Sequence, residues 1–69
     1  MANEQAVARA ELRTAIERHQ TALLAVLETA YDDENGHWTA AMQRLNRARQ
    51  KVDVALIGVR RAYGVGRPT

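Results

Sequence analysis

Mostly apolar positions recur along the first half of the chain at Leu12, Ile16, His19, Leu23, Val26 and Ala30, alternately four and three residues apart. That alternation follows one face of an α-helix. The second half repeats it through Trp38, Met42, Leu45, Arg49, Val52, Leu56, Val59 and Tyr63, a coiled-coil-like spacing. One uninterrupted helix cannot carry both series. Continued past Ala30, the first leads to Asp33 or Glu34 and then His37, whereas the second begins at Trp38. The one-residue slip falls within Tyr31-Asp32-Asp33-Glu34-Asn35-Gly36-His37, which also holds an Asn-Gly turn signal. The pattern therefore predicts an all-α, single-domain antiparallel hairpin, with helices over about 4–31 and 38–63, a turn at 32–37 and a tail at 64–69.

Pairing the two series about Glu34 predicts layers of Ala30 with Trp38, Val26 with Met42, Leu23 with Leu45, His19 with Arg49, Ile16 with Val52 and Leu12 with Leu56. The expected core is then Leu12, Ile16, Leu23, Val26, Met42, Leu45, Val52 and Leu56. His19 and Arg49 interrupt it as a polar layer near mid-length. Such a layer fixes register and partner choice at some cost in stability, and its two nitrogen-bearing side chains could also hold a carboxylate or phosphate. At the ends, Gly64 reads as the stop of the second helix. Asp32, Asp33 and Glu34 read as carboxylates favouring its start.

Composition turns the hairpin into an assembly problem. The chain has 69 residues, no cysteine and one proline. A single core of that size rarely supplies more than about 3–5 kcal/mol without disulfides, metals or oligomerisation. Leu24, Tyr31, Val54 and Ile57 lie off the two apolar series, and with Trp38 at the turn they form a candidate interface. A homodimer closing into a four-helix bundle would solve the size problem. No run is long and apolar enough for a membrane span, and no secretory leader is recognisable. The expected place is the cytoplasm, with secretion without a cleaved leader as the alternative.

The net charge of +2 hides an asymmetry. Residues 1–37 hold three Arg and seven Asp/Glu, giving −4, and residues 38–69 hold seven Lys/Arg and one Asp, giving +6. An acidic helix beside a basic one gains a little electrostatic complementarity. Arg44, Arg47, Lys51 and Arg61 occupy an outward arc, which makes them candidate nucleic-acid contacts, although no aromatic platform or zinc-finger spacing accompanies them. The acidic turn with His37 lacks the spaced oxygen ligands of a calcium loop. No serine or cysteine, phosphate-binding glycine loop or facing carboxylate pair is present, so neither catalysis nor a cofactor or metal is expected.

Two resemblances add expectations of their own. Gln20-Thr21-Ala22-Leu23-Leu24 leading to an acidic turn, with Arg61-Ala62-Tyr63-Gly64 near the end, resembles Rop-type helical hairpins, which implies a homodimeric four-helix bundle that binds paired RNA loops. Trp38 at the turn, followed by an alanine-rich helix ending at Tyr63, is similar to the WXG family of type VII secretion substrates, which implies a secreted hairpin paired with another helical protein. The residues themselves lead first to a small non-enzymatic interaction or regulatory protein. An RNA- or DNA-binding dimer, and a secreted or phage-structural hairpin binding a helical protein, follow as alternatives.

Overall fold

The computed structural model describes residues 2–30 and 36–64. Expectations for Tyr31, Asp32, Asp33 and Glu34, and for residues 65–69, lie outside them. Helix α1 spans Ala2–Glu28 and helix α2 spans His37–Tyr63; no strand occurs among the described residues. Each helix has 27 residues, about 40 Å at 1.5 Å per residue. Alanine, leucine, arginine and glutamine, all strong helix formers, dominate both.

The ends of the helices have local causes. Past Glu28 the Thr29 amide donates to the Ala25 carbonyl at 3.1 Å, and the Thr29 hydroxyl donates to the same carbonyl at 2.9 Å. That doubly used acceptor closes the last turn of α1 three residues short of the expected end. Helix α2 starts from Gly36 at φ 70° and stops at Gly64 at φ 71°, where the Gly64 amide donates to the Arg60 and Arg61 carbonyls. Both glycines sit in the left-handed region that costs other residues about 1–2 kcal/mol. Arg60 and Arg61 in the last turn complement the negative end of the helix.

The seam between the helices is not the one expected. Along the seam, buried and half-buried positions run Gln5, Ala8, Leu12, Ala15, His19, Ala22, Val26 on α1, then Thr29 just past its end, and Trp38, Ala41, Leu45, Ala48, Val52, Ala55, Val59, Ala62 on α2, with Ala25, Met42 and Gly58 half-buried beside them. Half of each predicted series is therefore correct. The other half is displaced by one residue, from large side chains to alanines. Ile16, Leu23 and Leu56, expected in the core, are 41%, 45% and 44% exposed, and Tyr63 is 44% exposed. Arg49 is exposed too, while Met42 is half-buried. The physical reason is distance of approach. Alanines recurring every seventh residue let two helix backbones come close, and interaxial separation follows the side chains at the contact.

Register follows from the Gln5 side-chain amide, whose Nε2 donates to the Ala62 carbonyl at 3.4 Å. Extended along the seam, the sum of paired numbers is 67 rather than 68. This places Ala22 opposite Leu45, Ala15 opposite Val52 and Ala8 opposite Val59, while Val26 faces Ala41, His19 faces Ala48 and Leu12 faces Ala55. Each small side chain meets a large one. His19 and Arg49 are consequently not opposite partners in one layer of the hairpin.

Charge is also distributed differently from the simple halves. Within Ala2–Glu28 four glutamates face three arginines, a balance of −1. The acidity of the first half is concentrated at residues 32–34, outside the described residues. Helix α2 keeps its excess of arginine and lysine, and no acidic residue occupies its first turn.

Candidate functional site

Two helices side by side make a slab, and its dimensions of 53 × 22 × 12 Å show it to be one helix thick, since a single helix with side chains measures about 10–12 Å. Everything above and below the seam is open. The buried hydrophobic residues are Ala8, Ala15, Ala22 and Ala41, and no large side chain is fully buried among the described residues.

One face is broad and apolar. In an antiparallel pair, the residues one step after the alanines of each helix point to the same side of the slab. These are Arg9, Ile16 and Leu23 from α1 and Met42, Arg49, Leu56 and Tyr63 from α2. They flank the large half of the seam, which contributes Leu12, His19, Val26, Leu45, Val52 and Val59. Half of each predicted stripe thus belongs to the seam, and the other half lies beside it on this face instead of in the contact between the helices. His19 is half-buried and Arg49 exposed, both near position 17 or 50, the middle of the seam. Neither flanking series contains a carboxylate.

The opposite face is a groove between the helices. The structure brings Arg44, Arg47, Lys51 and Arg61 together along it, with Arg18, Glu11 and Glu17 from α1. None of the flanking residues of the broad face lines it, which independently places those residues on the other side. The other interface candidates are dispersed. Val54 and Ile57 line the groove, Leu24 is 60% exposed on the outer side of α1, and Trp38 is half-buried in the seam opposite Thr29. Tyr31 lies outside the described residues.

The groove and the alanine seam escaped the sequence reading, although a signal existed. Ala8, Ala15 and Ala22 repeat every seven residues, as do Ala41, Ala48, Ala55 and Ala62. Searching for large apolar residues alone passes over them. Among the described residues no three His, Cys, Asp or Glu side chains cluster as metal ligands, and no helix there is long and apolar enough to cross a membrane.

The fold defines the chain as an α-helical hairpin with one large-residue face and one small-residue, charged face. No protein-family model, curated protein or solved structure matches it.

Proposed function

We propose that the protein is a non-enzymatic helical interaction protein that works as a homodimer, two hairpins closing their broad faces on each other to make a four-helix bundle. The observation that carries this reading is the unfilled face itself. The chain exposes 5843 Å², whereas a folded monomer of 7.7 kDa ordinarily exposes about 4,300 Å². Part of that excess lies on the broad face, which a second copy would cover. Ile16, Leu23, Leu56 and Tyr63 would then become core residues. Each helix would present three adjacent positions per seven, namely alanine, large seam residue and large flank residue, as bundle helices do.

A second copy suits the face better than an unrelated helical protein for a physical reason. Four buried alanines give the hairpin too little apolar burial to fold alone, so the chain needs its cover whenever it is folded. The resemblance to Rop-type hairpins supports the same arrangement. In the bundle, His19 projects toward the centre and Arg49 toward an edge, with Asp53 one turn further along α2. A central polar group of that kind sets which way the two hairpins align.

Sedimentation equilibrium tests the reading. At tens of micromolar the expected mass is twice the 7.7 kDa of the chain, with a thermal midpoint that rises with protein concentration. A 7.7 kDa species with a concentration-independent midpoint would overturn it.

A further inference from the structure

The groove on the second face has a built character of its own. It runs from Val7 on α1 to Ala22, about 22 Å of helix. Its floor is made of Ala15, Ala22, Ala48, Ala55 and Gly58. Side chains of one carbon or none allow a third helix to approach closely. Val7, Val54 and Ile57 on its banks are 55%, 69% and 51% exposed.

Charge divides the banks. Arg44, Arg47 and Lys51 line the α2 side and are exposed, while Arg18 joins exposed Glu11 and Glu17 on the α1 side. Arg61 also lines the groove but is engaged in an interaction of its own. Leaving Arg61 aside, four cations stand against two carboxylates, and the cations concentrate on one bank.

We propose that this groove docks an acidic amphipathic helix of a partner protein. The helix seats a stripe of small or apolar residues on the alanine floor and turns a row of Asp or Glu toward Arg44, Arg47 and Lys51. Helix-in-groove recognition takes its affinity from the apolar stripe and its orientation from complementary charge. A nucleic acid fits less well. Its phosphates gain nothing from Val7, Val54 and Ile57, they meet Glu11 and Glu17 on the other bank, and no aromatic side chain lines the groove to stack a base. A second copy of this chain also fits poorly, because α1 carries three arginines among its four glutamates and offers no acidic row. The groove is lined by one chain and lies opposite the broad face, so docking leaves the proposed dimer contact uncovered and a dimer carries two such sites.

The probe is a fluorescent 18-residue helix-forming peptide with an Ala/Leu stripe flanked by Glu, titrated with the full-length protein and followed by anisotropy. Saturable binding that weakens with added salt is expected. Arg47→Glu combined with Lys51→Glu is expected to weaken it at least tenfold, and Ile57→Ser to weaken it measurably, with helicity and sedimentation mass unchanged in both variants. The same peptide with Lys in place of Glu is expected not to bind. Absence of saturable binding, equal binding of the Lys peptide, insensitivity to the Arg47/Lys51 reversal, or preference for a 20-base-pair RNA duplex over the Glu peptide would each overturn the proposal. Failure of the dimer leaves this outcome readable, since mass is measured in parallel.

Discussion

Leu56→Glu is expected to unfold the protein at micromolar concentration, while Ile57→Glu, one residue further along the same helix, leaves it folded. The two side chains are similarly exposed in the hairpin, at 44% and 51%. They differ in direction. Leu56 points from the broad face, where a two-fold dimer would bury both copies, and Ile57 points into the groove. A carboxylate confined without a partner in an apolar interface costs several kcal/mol, and symmetry doubles it. That exceeds the roughly 3–5 kcal/mol a chain of this size has to spare. Because the buried hydrophobic residues among those described are all alanines, loss of the proposed dimer is expected to remove the fold with it. Far-ultraviolet circular dichroism reads the difference: helical signal collapses in Leu56→Glu and persists in Ile57→Glu. Equal behaviour of the two variants would show that the broad face is not special.

The second large effect concerns the seam. Ala22 is 2% exposed and lies opposite Leu45 in the register set by the Gln5–Ala62 hydrogen bond. Ala22→Leu places two large side chains in a space made for one. Overpacking of that kind costs about 1–3 kcal/mol per site, and a cost of 1 kcal/mol shifts the midpoint of so small a domain by about 4–8 °C. A fall of roughly 10–20 °C in thermal midpoint is therefore expected at fixed concentration. The compensating variant Leu45→Ala destabilises by itself through the cavity it leaves. Combined with Ala22→Leu it restores the volume across the pair, so the double variant is expected to be more stable than the sum of the single effects, by about 0.5–3 kcal/mol of coupling. Strict additivity would mean that these two residues do not face each other.

Much of the fold was legible from spacing alone. The phase slip between Ala30 and Trp38 separated two helices, and Gly64 marked where the second stops. Half of the seam was also legible, through Leu12, His19, Val26, Trp38, Leu45, Val52 and Val59. The remaining half was not, because pattern reading weighs apolar area, whereas helix contact also weighs proximity. A large residue such as Ile16 or Leu56 contributes more area, but an alanine allows the closer approach, and in a two-helix slab the alanines take the contact while the large residues are left for another surface. The pairing of His19 with Arg49 failed for the same reason: a displacement of one residue moves Arg49 off the seam. The basic arc of Arg44, Arg47, Lys51 and Arg61 was visible as an arc. Its alanine floor and its opposing carboxylates depend on how α1 lies alongside, which no single-helix pattern contains.

The central claim, that the broad face meets a second copy, is tested most directly by cysteine protection, since the chain has no cysteine of its own. Single substitutions Leu23→Cys and Leu56→Cys on the broad face are compared with Leu24→Cys and Val54→Cys elsewhere, and the rate of maleimide labelling is followed as protein concentration is raised. All four positions are open in the isolated hairpin, so only association distinguishes them. Labelling at 23 and 56 is predicted to slow as concentration rises, while labelling at 24 and 54 stays constant. Equal, concentration-independent rates at all four positions would contradict the dimer.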